Sequence, residues 1–132
     1  MRDEPLDPRA ARFAALGAIS AFLAVVAGAF GAHALRARLI EAFLQAFETG
    51  ARYQFLHALA LLAVAWALDR TRQPAIAGAG WLFVAGTVLF SGSLYALALT
   101  GIMRFGLVTP FGGLCFLAGW LLLAWGLSRS AS

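Results

Sequence analysis

The chain has 132 residues, 62% of them hydrophobic and only 12% charged, with a mean hydropathy of +0.84. A soluble domain carries roughly a quarter charged residues, so a water-facing globule is excluded and lipid is the solvent for most of the chain. All ten basic residues are arginines, and they lie between apolar runs rather than in one stripe, which excludes a nucleic-acid partner despite the net charge of +4.

The opening segment MRDEPLDPRAAR mixes both charges with two prolines and reads as an aqueous tail. From Phe13 to Ala32 no charged residue occurs, enough for one crossing at about 1.5 Å per residue, so a first span is expected at about 13–34. Ala32-His33-Ala34 fits a signal-cleavage pattern, but the apolar run is longer than a signal core and acidic residues precede it, so retention is expected. Gly28 and Gly31 are expected to let a neighbouring helix approach.

In RARLIEAFLQAFETGARY, the apolar residues Leu39, Ile40, Phe43, Leu44 and Phe47 recur at helical spacing. This predicts an amphipathic helix at about 37–49, lying in the membrane interface. The next apolar run, Phe55 to Leu68, is short for a crossing, so the second span must take in Arg52, Tyr53 and Gln54 and run over about 52–69. Asp69 to Pro74 is a turn, with proline suited to start a helix. A third span is expected at about 75–100, a tight loop holding Arg104 follows, and a fourth covers about 107–127. Gly92, Gly112 and Gly113 are read as helix contacts, like Gly28 and Gly31. The lone Cys115 excludes an internal disulfide and a cysteine-based metal site. The expected fold is therefore an all-α, single-domain bundle over 1–132: four transmembrane helices with an interfacial helix between the first and second.

Four spans put both termini on one side. Arg2, Arg9, Arg12, Arg70, Arg72 and Arg129 then share that side, against Arg36, Arg38, Arg52 and Arg104 on the other, so cytoplasmic termini are expected. Trp66, Trp81 and Trp125 fall toward the termini, as an interfacial belt would.

Threading the helices up and down brings the polar residues to the opposite end. His33 closes the first span, Arg52, Tyr53, Gln54 and His57 open the second, Ser91, Ser93 and Tyr95 belong to the third, and Thr109 starts the fourth. Tyr53 and His57 are four apart, as are Thr87, Ser91 and Tyr95, so each set shares a helix face. Polar groups inside a bilayer need partners, and a shared polar pocket open toward one surface would supply them.

The segments GAFGAHAL, YQFLHALALL, LFSGSLYALALTG and TPFGGLCFLAGW resemble the signature blocks of a domain-of-unknown-function family of small four-span membrane proteins. The family includes the bacterial YgdD-like and YwdK-like proteins and the eukaryotic transmembrane protein 256. The resemblance runs from about Phe13 to Trp125 and implies a bacterial inner-membrane protein of four helices. It implies no activity.

Three functions are weighed on this pattern. The leading one is a non-enzymatic protein whose pocket (His33, Glu48, Arg52, Tyr53, Gln54, His57, Ser91, Ser93, Tyr95, Thr109) takes a lipid headgroup, a small ligand or a partner helix. The second is a proton or small-solute carrier relaying through His33, Glu48 and His57. The third is a haem protein with His33 and His57 as axial ligands; otherwise no cofactor or metal is expected. Glu48 and Arg52, four apart, are expected to pair. No serine lies in a nucleophile motif, so no enzyme is expected. Partners are membrane lipid, and a second copy or another membrane protein through the glycine-bearing faces.

Overall fold

The computed structural model describes residues 5–130, and the described residues contain no strand. Four long helices, Pro8–Leu35, Glu41–Thr71, Pro74–Thr100 and Met103–Ser130, are each long and apolar enough to cross a membrane. The first begins where its sequence demands. Asp7 caps it by accepting the Arg9 backbone N–H at 2.8 Å, and Pro8 follows at a position that needs no N–H donor. The Asp7 N–H in turn donates to Asp69 Oδ1 at 3.2 Å, tying this start to the far end of the second helix.

The amphipathic segment is not a separate interfacial element. It forms the first turns of one continuous helix, Glu41–Thr71. Gly50 at the junction costs about 1 kcal/mol of helix propensity. Its missing side chain, however, admits neighbours that a Cβ would meet closely: the Tyr95 ring at 3.1 Å and the Ser91 carbonyl at 3.3 Å. Packing against the third helix holds the chain helical through the glycine. The break falls earlier, at Ile40, whose backbone is extended. At the other end Arg72 takes a left-handed conformation, φ 53°, and Gln73 and Pro74 start the third helix.

The second helix is the centre of the bundle. In it, 56% of the most apolar window is buried, against 17% in the first helix and 22% in the fourth. The first and third helices both pack on the second, and the fourth packs mainly on the third.

The third and fourth helices meet in an antiparallel ladder with a period of seven residues. Ile76, Phe83 and Phe90 lie opposite Gly126, Gly119 and Gly112. A Cβ on Gly119 would come within 2.7 Å of the Phe83 ring, and one on Gly126 within 2.8 Å of Ile76. A Cβ on Gly112 would strike the backbone of Phe90 itself. Phe116 returns the contact by filling the space over Gly86. These are large knobs entering glycine holes, the geometry of closely packed membrane helices.

Among the glycines singled out above, a Cβ on Gly31 would come within 3.1 Å of the Phe47 ring, and Gly112 lies against Phe90. A Cβ on Gly113 would reach no closer than 4.0 Å to Phe90, and Gly28 and Gly92 face open space. The reason is rotational: these three lie on faces turned away from the partner helix.

Two short π-helical turns interrupt the helices, Gly31–Leu35 at the end of the first and Thr87–Ser91 within the third. Exposed Phe22, Val25, Leu117 and Leu121 face outward, as lipid-facing residues do. Near the termini the Arg70 guanidinium lies 4.3 Å from the Trp66 ring and that of Arg129 lies 5.1 Å from Trp125. Both pairs suit a headgroup boundary, where amphipathic rings and cations coexist.

Candidate functional site: a polar band beside an aromatic groove

Direct hydrogen bonds place polar residues of all four helices at one level. Gln54 Nε2 donates to the Ser20 carbonyl at 3.2 Å, joining the first and second helices. The Tyr95 hydroxyl donates to Gln54 Oε1 at 2.7 Å, and Ser91 Oγ donates to the Gly50 carbonyl at 2.7 Å, joining the second and third. Ser93 Oγ and Thr109 Oγ1 meet at 2.6 Å, joining the third and fourth. Gln54, Ser91 and Ser93 are buried, and each makes a short bond to a neighbouring helix. In a bilayer such bonds contribute about 0.6 kcal/mol each and fix register.

His57 belongs to the same band but faces the fourth helix. Its Nδ1 lies 2.7 Å from the Tyr53 carbonyl, and its Nε2 lies 3.1 Å from Trp120 Nε1. A carbonyl only accepts and an indole N–H only donates, so Nδ1 carries the proton and Nε2 is bare. This is the neutral tautomer, with both ring nitrogens in use. The ring stacks on Phe116 at 3.5 Å with the planes 5° apart, and Tyr53, Phe83 and Trp120 surround it.

The remaining candidates stand apart. His33 is exposed in the π turn that ends the first helix. Gly31 packs on Phe47 and Gly17 lies at Ala58, so the two histidines are separated by roughly 18 Å along the bundle. With His57 Nε2 also occupied, the pair does not fit axial ligation of one haem. Glu48 pairs with Arg36 at 3.9 Å, not with Arg52. The turn between the first two helices folds Arg36 back onto that carboxylate, which spacing within one helix could not reveal. Arg52 is exposed and has no acidic partner among the described residues. A charged arginine within a span costs about 3 kcal/mol at full depth, less where it reaches toward the surface.

Two openings flank the band, both facing the surroundings of the bundle rather than enclosed within it. Between the second and fourth helices a groove of about 570 Å³ is lined by Tyr53, His57, Phe90, Pro110, Leu117 and Trp120, among others. Between the first and third helices a crevice of about 240 Å³ has Ser20, Gln54 and Thr87 among aliphatic walls. The Thr87 hydroxyl is buried without a hydrogen-bond partner among the described residues. The buried polar side chains thus bond to one another or to backbone carbonyls of neighbouring turns, and the open space lies to either side.

Trp120, Phe90, Phe116 and Ser20 join the site without having been singled out in the sequence. Trp120 carried a signal, since the other three tryptophans fall toward the termini and this one does not. Phe83 and Phe90 also repeat at the same seven-residue interval as Gly112 and Gly119.

Known proteins with similar sequences are named as membrane proteins. A family described as a protein of unknown function (DUF423) matches residues 27–113. The chain is similar to the UPF0382 membrane protein YwdK of Bacillus subtilis, 46% identical over 112 residues that cover 84% of this chain and 91% of the relative. It is also similar to the UPF0382 inner membrane protein YgdD of Escherichia coli K12, at 44% over 112 residues, covering 85% and 86%. A UPF0382 membrane protein of Staphylococcus saprophyticus is 46% identical over 114 residues, covering 86% and 94%. No solved structure matches the chain.

Proposed function

The chain belongs to this family of membrane proteins of unknown function, and from that premise we propose that it is a non-enzymatic inner-membrane protein that holds a bilayer lipid by one chain. The lipid would lie in the aromatic groove between the second and fourth helices, with its headgroup toward the end remote from the termini. Cytoplasmic termini would place that headgroup in the outer leaflet.

The observation that carries this reading is the groove itself. It faces outward from a bundle whose helices are membrane spans, so lipid is the molecule it meets at the highest concentration. Rigid rings form its walls, and rings lose little freedom when a chain settles against them. A non-enzymatic role draws support from the polar band, whose side chains are engaged in structural bonds. Ser91 donates to Gly50 and Ser93 to Phe90, and neither is hydrogen-bonded to a histidine that could act as its base.

A relay through His33, Glu48 and His57 draws less support, because Glu48 is bound to Arg36 and the histidines lie far apart along the axis.

Native mass spectrometry of the detergent-purified protein, counting retained phospholipid, tests the reading. Gly113 lines the groove and Ala118 is exposed outside it. Gly113→Leu should fill the groove and reduce retained lipid severalfold, while Ala118→Leu should leave it unchanged. Equal retention in both variants would dispose of the groove as a lipid site.

A further inference from the structure

Three of the residues that line the groove carry polar side-chain atoms: Tyr53, His57 and Trp120. Two of them are engaged, since Trp120 Nε1 donates to His57 Nε2 and His57 Nδ1 donates to the Tyr53 carbonyl. The Tyr53 hydroxyl has no hydrogen-bond partner among the described residues. Tyr95 differs, because its hydroxyl donates to Gln54 at 2.7 Å, away from the groove. Across the groove from Tyr53, the fourth helix presents Pro110, Gly113, Leu114 and Leu117, whose side chains offer no donor. The groove therefore holds one free donor, the Tyr53 phenol.

Ring contacts hold that phenol in the wall. The Tyr53 ring lies 4.7 Å from Phe90 and 6.3 Å from Phe116, and it stacks beside His57 at 6.2 Å. Its depth follows from the second helix. Arg70 lies over Trp66 at the end near the termini, so the hydrocarbon core meets this helix at about Leu68. A core of roughly 30 Å takes about 20 residues, which puts its other edge one turn before Tyr53. The fourth helix agrees: about 20 residues back from Leu127 is Val108, next to the start of the groove at Pro110. Side chains on a helix lean toward its N-terminus, which for the second helix is the end remote from the termini. The Tyr53 hydroxyl is thus carried outward, to the edge of the core.

At that edge a glycerolipid presents the ester carbonyls that join its chains to glycerol. The phosphate lies further out, in the polar layers that bring the bilayer to about 40–45 Å. A carbonyl only accepts and a phenol can donate, and an unmet polar group is costly where water is absent. From Pro110 to Trp120 the fourth helix rises about 15 Å, half of the core, so a chain that starts at Tyr53 has one leaflet's length of groove to follow. We infer that the Tyr53 hydroxyl donates to an acyl ester carbonyl of the lipid in the groove, which selects ester-linked glycerolipid. This inference rests on the groove reading and names the linkage by which the lipid is recognised.

The test uses the full-length protein in neutral detergent, read by native mass spectrometry. It is titrated with diester phosphatidylcholine or with the diether analogue of the same chain length, which keeps the phosphate and lacks both carbonyls. The wild type should bind the diester lipid roughly threefold to tenfold more tightly, the scale of one neutral hydrogen bond. Tyr53→Phe keeps the ring, so it should lower diester binding to the diether level and leave diether binding as it is in the wild type. Equal binding of the two lipids by the wild type, or a diester preference that survives Tyr53→Phe, overturns the ester contact while leaving the groove intact. An equal loss of both lipids in Tyr53→Phe also overturns it, and moves the contact to the phosphate. Binding of both lipids unaffected by Gly113→Leu overturns the groove reading, and the ester contact falls with it.

Discussion

Trp120 donates its indole N–H to His57 Nε2 across 3.1 Å, and that bond satisfies the bare nitrogen of the only histidine inside the bundle. Trp120→Phe keeps the ring and removes the donor. Nε2 would then face aromatic rings without a partner, at a cost of about 1–2 kcal/mol. Thermal unfolding in detergent should show the loss, and nitrogen NMR of the imidazole should show the Nε2 resonance moved by loss of its donor, with the proton still on Nδ1 against the Tyr53 carbonyl. An unchanged Nε2 resonance would mean that Trp120 makes no hydrogen bond to it.

The glycine ladder makes a graded prediction. At Gly112 an added methyl strikes the Phe90 backbone, which cannot rotate away, so Gly112→Ala should destabilise by on the order of 3 kcal/mol. At Gly119 the obstacle is the Phe83 ring, and partial repacking should limit the cost to about 1–2 kcal/mol. Gly28 and Gly92 meet nothing, so alanine there should be neutral or stabilise by up to about 1 kcal/mol through helix propensity. Unfolding midpoints of the four variants should fall in that order. A stable Gly112→Ala protein would contradict the close crossing of the third and fourth helices.

The four crossings could be read from the sequence because each physical cause is local: apolar length, flanking arginines and Pro74 after a charged turn. The continuity of the helix through Gly50 could not, because it depends on Tyr95 and Ser91 arriving from another helix. Spacing put Tyr53 and His57 on one face, yet spacing cannot say which neighbour that face meets, and the neighbour proved to be Trp120. Likewise Glu48 has a cation four residues on in its own helix, but the turn at residues 36–40 offers Arg36 instead. The level shared by Gln54, Ser91, Ser93, Tyr95 and Thr109 followed from threading the helices up and down, but His33 lies apart, and the open space belongs to an aromatic groove assembled from residues far apart in sequence.

Gln54 links three helices, accepting from Tyr95 and donating to Ser20. Tyr95→Phe removes one donor and should cost about 1 kcal/mol, within the range measured for hydrogen bonds inside membranes. Gln54→Leu removes both bonds together. In a double-mutant cycle the two substitutions should cost less than the sum of their separate effects, because they remove the same Tyr95–Gln54 bond. Strict additivity of the unfolding free energies would show that this bond contributes nothing to stability.

The start of the first helix should confer a pH dependence of defined sign. Arg9 bonds the Asp7 side chain twice, Nε to Oδ1 at 3.2 Å and Nη2 to Oδ2 at 2.9 Å, and its backbone N–H adds a third bond. These contacts, the Arg9 side chain first, hold the Asp7 carboxyl below the ordinary value of 3.8. The folded state therefore binds this proton more weakly than the unfolded chain. Its contribution to stability is fully present above the unfolded value and fades as pH falls through the folded one. Asp7→Asn retains an acceptor for the helix cap but loses the charge that Arg9 holds. The variant should unfold at a lower temperature than wild type at pH 6, and the gap should close as the pH is lowered through the carboxylate range. A gap that stays constant down to the lowest pH would trace the loss to the cap geometry alone and leave no role for the Arg9 pair.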